Sequence, residues 1–476
     1  MNPEEYDLIV IGTGSAMNIV DPMIRRKPDM RVAVIDKDEP GGICLTRGCI
    51  PTKILLHSAD VVREVQEAER FGVDATIKKV RFREIMENMR SLIYKDINMI
   101  KHGLSHSKNI DYFKDIATFV APYTLKVGGK LIKSKMIFLC TGSKPLVPPI
   151  KGLNKVGFLT SYSVIRMEEL PDSMIIVGGG YIAAEYGHFF SAMGSKVTII
   201  GRNPQFLPQE EPEVSDLAKK ELSKHMRIIT NHEVVEVQKG IRGKKVMAVD
   251  RSTGKKVSFT ADEILIAAGR APNSDILMPE KGGIETYGPG WIKVNEYLET
   301  NMPGVWAFGD ANGKYLFKHV ANYESKVVYY NAVLGKKVKV DYHAIPSAVF
   351  TYPEIASVGM REKEAVERYG KDNILIGFYK YENTAKGEAI KAKDWFVKVI
   401  VKADDRKILG AHIIGPWASM LIQEIITLMY TREQDPEPIY EGMHIHPAMS
   451  EVVERAFFAL MPVEHYHHVL GHEGME

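Results

Sequence analysis

Cysteine is scarce in this chain, which has only 3 in 476 residues. A framework of structural disulfides, the usual support of small secreted domains, is therefore excluded. Charge of one sign is not in excess either, because 62 basic residues face 60 acidic ones and the formal net charge is +2. This balance argues against nucleic acid or an anionic membrane as a partner.

Long apolar runs and an export signal are also missing from the sequence. The chain begins Met1-Asn2-Pro3-Glu4-Glu5, which is polar and acidic, so we expect no signal peptide. No uninterrupted apolar run is long enough to cross a bilayer. Together with the low cysteine content, these features predict a cytoplasmic protein, and the length allows about two or three domains.

Two of the three cysteines, Cys44 and Cys49, stand five positions apart where a loop is predicted to enter a helix. A structural disulfide closing so short a loop would constrain the unfolded chain little. A close pair in a cysteine-poor chain is more typical of a redox or metal site. On these residues alone, two buried thiols at a helix start remain the alternative.

A strand, a glycine-rich turn and a helix open the chain, in the pattern that binds the pyrophosphate of a dinucleotide. The strand Tyr6–Ile11 leads into Gly12 and Gly14, and the next strand ends at Asp36. Asp36 can accept a hydrogen bond from a ribose hydroxyl. Met17 stands where a third small residue is usual, yet we predict nucleotide binding here.

The same plan recurs later in the chain. The strand Met174–Val177 leads into a turn with small residues at all three positions, Gly178, Gly180 and Ala183. A helix is predicted from Tyr181 to Met193. The following strand ends in a glycine and then Arg202 rather than in an acid. An acid would accept from the 2′-hydroxyl of NAD, whereas arginine suits the 2′-phosphate of NADP. We therefore favour NADPH over NADH.

Further segments follow in a fixed order, and with them the chain resembles the FAD-dependent pyridine nucleotide–disulfide oxidoreductases to about Leu460. The segments are Cys44–Cys49 with Lys53, Cys140–Pro145, Gly178–Glu185, Ala268–Asn273, Val305–Asp310, Val349–Glu354 and His444–Pro447. Three stretches are most similar to the mycothione reductase branch: Gly12–Asp21, Ala183–Gly194 and Leu316–Asn322. His444–Pro447 is instead typical of the dihydrolipoamide dehydrogenase branch.

The resemblance implies an α/β fold with two Rossmann-like domains, for FAD and NAD(P), and a C-terminal α+β dimerisation domain. We expect the FAD-binding domain to span 1–152 and 277–345. The NAD(P)-binding domain is expected over 153–276 and the C-terminal domain over 346–476.

The resemblance also implies two cofactor sites. The residues expected to bind FAD are Gly12, Gly14, Asp36, Lys53, Thr141, Gly142, Gly309 and Asp310. Those expected to bind NAD(P) are Gly178, Gly180, Tyr181, Ala183, Arg202 and Gly269. Within these sets, Asp36 is expected at the adenosine ribose, Asp310 at the ribityl chain and Tyr181 as a gate over the nicotinamide pocket.

Catalytic roles follow from the same resemblance. Cys49 is expected to be the thiolate facing the flavin, and Cys44 the thiol that attacks the substrate. Lys53 and Glu185 are expected to form a buried ion pair beside the flavin. His446, oriented by Glu451, is expected to act as acid and base in the other subunit of a homodimer. Cys140 is expected to be structural, and no metal site is expected.

Several functions remain open on the sequence. We favour an NADPH-dependent reductase of a small disulfide, similar to mycothione reductase, over an NAD-linked dihydrolipoamide dehydrogenase. A flavin-binding redox sensor and an NAD(P)H oxidase are further alternatives. The complete set of cysteine, Lys–Glu and His–Glu pairs argues against a sensor. For the terminal histidines we favour a packed or mobile terminus over a metal role: His465, His467, His468 and His472.

Overall fold

The first part of the fold is a five-stranded parallel sheet flanked by helices. In the computed structural model, which describes residues 2–471, its strands in spatial order are Val305–Ala307, Ile137–Leu139, Leu8–Ile11, Val32–Ile35 and Ile110–Phe113. The first four strands are apolar runs that are buried throughout, as a sheet covered on both faces requires. The flanking helices are Met17–Arg26, Gly42–Arg47, Cys49–Glu67 and Phe82–His106.

A second parallel sheet of five strands repeats this plan. Its strands in spatial order are Leu159–Thr160, Glu263–Ile266, Ser173–Val177, Lys196–Ile200 and Arg227–Ile229. The helix Tyr181–Met193 begins and ends where the sequence predicts, and Pro212–Leu222 follows the fourth of these strands in the chain. An antiparallel sheet of three strands, His232–Lys239, Lys244–Asp250 and Lys256–Ala261, adjoins it.

The C-terminal part is a six-stranded antiparallel sheet with helices. Its strands in spatial order are Pro346–Val349, Ile355–Gly359, Ile408–Ile414, Phe396–Lys402, Ile374–Lys380 and Leu460–Pro462. Its helices are Glu362–Tyr369, Ala385–Ala389, Ala418–Met429, Glu437–Glu441, Glu451–Phe458 and Val463–Leu470. The three parts confirm the predicted α/β class with two Rossmann-like units and an α+β unit. The exact domain limits stay a prediction.

Smaller elements connect these units. A four-stranded sheet consists of Glu4–Glu5, Lys130–Lys133, Thr124–Val127 and Ala117–Ala121. Two-stranded sheets pair Ser143–Pro145 with Arg270–Pro272 and Thr286–Tyr287 with Trp291–Ile292. The remaining α-helices are Leu153–Val156, Ser161–Val164, Ser274–Leu277 and Lys318–Val328. No helix within residues 2–471 combines the length and apolarity needed to cross a membrane.

A buried lysine joins the second unit to the third. Lys398, on a central strand of the antiparallel sheet, is 0% exposed. Its ammonium group lies 2.9 Å from Glu211, 3.0 Å from Glu213 and 2.7 Å from Glu362. Within residues 2–471, these three carboxylates form the one cluster of acidic, histidine or cysteine side chains whose ligand atoms lie close enough together to share a metal ion. Because Lys398 contacts all three, the cluster is a structural ion network. His472 lies outside the described residues.

We expect Lys398→Met to destabilise the protein by about 3–5 kcal/mol, because it leaves buried carboxylates without a counter-charge. Burial opposes ionisation of Glu213, yet the Lys398 ammonium holds the pKa of this carboxyl at about 2. A carboxyl whose pKa is lower in the folded than in the unfolded state stabilises the fold at pH values above its unfolded-state pKa. This stabilisation is lost as the pH falls toward the folded-state pKa. The thermal midpoint of K398M should therefore lie furthest below the wild-type midpoint at alkaline pH.

The deficit should shrink as the pH falls from about 8 to about 5, because carboxylates without Lys398 take up protons more readily. Lys407→Met is the matched control, since Lys407 is a surface residue that pairs with Asp405. Equal deficits at both pH values would contradict the prediction.

Candidate active site

Four neighbouring parallel strands of the first sheet end at one cavity, where ligands of open α/β sheets bind. Gly12 follows Leu8–Ile11, Asp36 follows Val32–Ile35, and Asp310 lies just beyond Val305–Ala307. All eight residues predicted to bind FAD line this cavity: Gly12, Gly14, Asp36, Lys53, Thr141, Gly142, Gly309 and Asp310. The fold thus brings the whole predicted set together.

The turn at Gly12 fits a pyrophosphate because the backbone leaves no room for a side chain. Gly12 has φ of +109°, and a Cβ atom there would lie 2.1 Å from the carbonyl oxygen of Cys140. Asp36 accepts from the backbone N–H of Thr13 at 2.9 Å and from its hydroxyl at 2.5 Å. The carboxylate and the turn are therefore held together at the start of the helix, as a ribose and pyrophosphate site requires.

The cysteine pair opens onto the same cavity. Cys44 is half-buried and Cys49 is exposed to the cavity, and both are free thiols. The Cys44 thiol donates a hydrogen bond to the Cys49 sulfur, which raises the pKa of Cys44. The same bond lowers the pKa of Cys49 to about 7; burial opposes this shift and the Lys53 ammonium assists it. Cys49 is thus the sulfur that ionises first.

Lys53 and Glu185 form the predicted buried ion pair. The Lys53 ammonium lies 2.7 and 2.8 Å from the two oxygens of Glu185, which is 4% exposed. Glu185 also accepts from the backbone N–H of Phe350 at 3.1 Å. Lys53 lies over the Phe350 ring, 4.6 Å from its centroid. A fixed cation is therefore held beside Cys49 by groups from three parts of the fold.

A second cavity lies at the carboxyl ends of the second parallel sheet. It is lined by five of the six residues predicted to bind NAD(P): Gly178, Gly180, Tyr181, Arg202 and Gly269. Ala183 is fully buried in the helix Tyr181–Met193 instead. Its small side chain suits close packing of helix on sheet rather than contact with a nucleotide.

The two cavities share a wall that contains Tyr181 and Arg270. Burial raises the pKa of Tyr181 to about 12, so its hydroxyl stays neutral. Arg270 donates to the Ser143 hydroxyl at 2.6 Å, and the same hydroxyl donates to Asp310. Tyr181 therefore lines both cavities, and its role as a gate stays a prediction.

His446 lies outside the cavity that contains the cysteines. Its Nδ1 is 2.7 Å from Glu451, which also accepts from the backbone N–H of Ala448 at 3.0 Å. The hydrogen bond with His446 lowers the pKa of Glu451. The His446 side chain is 72% exposed, and it is not among the residues that line the cavity of its own chain's cysteines.

Sequence reasoning missed several polar residues around the cavity. Ser143 and Arg270 position Asp310, and Glu324 accepts from the backbone N–H of Gly309 at 2.5 Å. Lys318 lines the same cavity. Arg270 and Lys318 both lie in segments on which the family resemblance rests, but nothing in the sequence indicates which residues they contact. Cys140 lines the cavity directly after its strand, so it contributes to the wall as well as to packing.

Comparison with known proteins identifies the family. The profile of the pyridine nucleotide-disulphide oxidoreductases matches residues 6–325, and the profile of their dimerisation domain matches residues 345–457. The chain belongs to the pyridine nucleotide-disulphide oxidoreductase family. It is therefore an oxidoreductase that depends on FAD and a pyridine nucleotide, and the dimerisation domain supports a homodimer.

Similar proteins cover nearly the whole chain. Mycothione reductase of Mycobacterium tuberculosis is 34% identical over 468 residues, 96% of this chain and 100% of that protein. Dihydrolipoyl dehydrogenase of Synechocystis sp. is 32% identical over 481 residues, 95% of this chain and 98% of that protein. The structure of HOCl-induced flavoprotein disulfide reductase RclA from Escherichia coli superposes with a TM-score of 0.83. It is 26% identical, and the match covers 95% of this chain and 99% of that chain.

We expect Gly12→Ala to abolish FAD binding, because its Cβ would overlap the Cys140 carbonyl and its φ is unfavourable for alanine. The measurement is the ratio of flavin to protein absorbance after purification. Gly180→Ala is the control, since it has no neighbour within 4 Å and an ordinary φ of −99°. A Gly12→Ala protein that keeps full flavin content would contradict this account of the turn.

Proposed function

We propose that this enzyme uses NADPH to reduce a small disulfide through the Cys44–Cys49 pair. The observation that carries the proposal is the cysteine pair at the mouth of the flavin cavity, with one sulfur activated by its partner and by Lys53. A pair in this state suits thiol–disulfide exchange. The similarity to mycothione reductase over almost the full length supports a low-molecular-weight disulfide as the substrate.

The residues that line the first cavity would hold FAD. The Gly12 N–H is donated to the carbonyl oxygen of Ile35, so Gly12 contributes the room for close approach and Gly14 offers a backbone N–H group to the pyrophosphate. Asp36 offers an acceptor to the ribose and Asp310 one to the ribityl chain. When bound, FAD supplies the chemistry that converts hydride transfer from a nicotinamide into two-electron reduction of a disulfide. Lys53, neutralised in part by Glu185, supplies a fixed positive charge beside it.

Exchange with substrate is the work of the chain's own residues. His446 takes the proton of the Cys44 thiol as the Cys44 sulfur attacks one sulfur of the substrate disulfide, and the displaced thiolate then takes that proton from His446. The Cys49 thiolate next attacks the Cys44 sulfur and releases the second substrate thiolate, which takes a proton from solvent, and the Cys44–Cys49 disulfide is restored. Two electrons pass to the substrate, and Glu451 stabilises the protonated imidazole between steps.

Arg202 supports NADPH as the reductant. It lines the second cavity, where the preceding Gly201 leaves little room for an acidic side chain, because a Cβ there would lie 3.2 Å from Gly179. The Arg251 guanidinium donates to the carbonyl oxygen of Arg202 at 2.9 Å. A second cation, which sequence reasoning did not find, is therefore held against the backbone of Arg202.

We expect anaerobic NADPH to produce the long-wavelength absorbance of a Cys49 thiolate beside oxidised FAD faster than NADH does. Arg202→Leu should raise the KM for NADPH by about tenfold, the value of one hydrogen bond to a charged group, and leave the KM for NADH unchanged. Arg242→Leu is the control, because Arg242 lies in the same domain but outside the pocket lining. If neither nucleotide produces the band, the proposed disulfide relay fails.

A dihydrolipoamide dehydrogenase that uses NAD is the second candidate. Glu233 lies in the lining of the nucleotide cavity, and its negative charge would favour the nucleotide that lacks a 2′-phosphate. Dihydrolipoyl dehydrogenases are also similar over nearly the full chain. A preference for NADH in the titration, with lipoamide as the better substrate, would favour this candidate. The cytoplasmic location stays a prediction of both.

We also propose that His446 acts in the site of the partner subunit. The imidazole is oriented by Glu451 but exposed, and apolar side chains around it are exposed too. These are Met443 at 102%, Ile445 at 78% and Phe458 at 57%. A second copy of the chain would cover this apolar face and receive His446 in its own substrate cleft.

Mixed dimers test this arrangement directly. Cys44→Ser and His446→Gln chains should each form inactive homodimers, whereas the heterodimer should have about half the wild-type activity, because a two-fold dimer then has one complete site. The two chains carry different affinity tags so that heterodimers can be purified. Inactive heterodimers would mean that His446 serves its own chain, and each variant's flavin content checks its folding.

A further inference from the structure

A second lysine, Lys318, faces the cysteines without an acidic partner. It begins the helix Lys318–Val328 and lines the flavin cavity. Its ammonium donates to the Ser15 hydroxyl at 2.9 Å. No carboxylate of the described residues lies within the 4.0 Å that defines an ion pair with it, whereas Lys53 is bound to Glu185. Lys318 therefore brings a full positive charge into the site.

Local packing keeps this charge near Cys44. Ser15 follows Gly14, and Gly14 packs directly against Gly42. A Cβ atom on Gly42 would lie only 2.7 Å from the Cα atom of Gly14. Gly42 is the first residue of the short helix that carries Cys44. The phosphate turn, the cysteine helix and the start of the Lys318 helix thus meet at one point. Ser15 also donates to Asn322 of the Lys318 helix at 2.9 Å, which fixes that helix against the turn.

The electrostatics of the site agree with this geometry. Burial lowers the pKa of Lys318, and the charged or titratable groups that face it act against the shift; these are Cys44, Cys49, Asp310 and Cys140. The hydrogen bond to Cys49 and burial raise the pKa of Cys44, and Lys318 opposes that increase. Lys53 acts in the same way on Cys49. Lys318 thus faces both sulfurs and is the lysine that acts on Cys44.

We propose that Lys318 is a positioning residue that stabilises the thiolate of Cys44 when this sulfur attacks the substrate. The proposal rests on the proposed function, which makes Cys44 the attacking thiol. At rest the negative charge lies on Cys49, which accepts a hydrogen bond from the Cys44 thiol, so attack requires the charge to move to Cys44. Lys53 and Glu185 are nearly neutral as a pair and favour Cys49. The unpaired ammonium of Lys318 makes the shift to Cys44 less costly.

The test is the pH dependence of Cys44 alkylation by iodoacetamide in the reduced, flavin-loaded Cys49→Ser protein. Removing Cys49 leaves Cys44 and Cys140 as the remaining thiols, and mass mapping of the alkylated peptides identifies which of the two is modified. Adding Lys318→Met should raise the apparent pKa of Cys44 by about one unit or more, so alkylation near neutral pH slows by about tenfold. Adding Lys318→Gln, which keeps a donor for Ser15, should have the same effect. Adding Lys318→Arg should leave the alkylation profile the same as that of the Cys49→Ser protein.

Lys326→Met in the same background is the matched control, because Lys326 is an exposed lysine of the same helix. An unchanged Cys44 profile in Lys318→Met would overturn the proposal. If FAD affinity fell while that profile stayed the same, Lys318 would serve the cofactor phosphates instead. The measurement needs no turnover, so absence of disulfide reductase activity in the wild type would refute the proposed function without deciding the role of Lys318.

Discussion

The ion pair between Lys53 and Glu185 is the constraint on which the rest of the site depends. Lys53 comes from the helix that carries Cys49, Glu185 from the helix after the second phosphate turn, and the N–H of Phe350 from the C-terminal unit. A buried carboxylate without its lysine would be an uncompensated charge. The charge beside Cys49 therefore depends on how the three units are placed relative to one another.

The two cysteines differ because their surroundings differ, although they occupy adjacent helices. One donates a hydrogen bond and the other accepts it; Lys53 helps to lower the pKa of Cys49, and Lys318 opposes the increase in the pKa of Cys44. Lys53 is compensated by Glu185, whereas Lys318 is held by the neutral Ser15. The asymmetry lets a single negative charge rest on the sulfur nearer the ion pair and move to its neighbour during exchange.

Much of this could be predicted from sequence, because strand–turn–helix units and close cysteines are local patterns. The helix Tyr181–Met193 and the FAD-site residues were found in this way. Residues such as Ser143, Arg251 and Lys318 were missed because their partners are distant in the chain. Arg251, for example, reaches Arg202 only when a three-stranded sheet folds back on the second unit. Ala183 fulfils the pattern but is buried, since the third position of the turn serves packing.

The proposed reaction needs groups that one chain holds in separate places. Tyr181 and Arg270 separate the nucleotide cavity from the flavin cavity, so the nicotinamide must approach from the side of the second unit. The cysteines line the flavin cavity, and an acid–base group must reach their substrate. His446 is exposed beyond both cavities. The proposed two-fold dimer would resolve this separation, because the exposed face that a second copy would cover also carries His446, the proton donor proposed for the partner's cysteines.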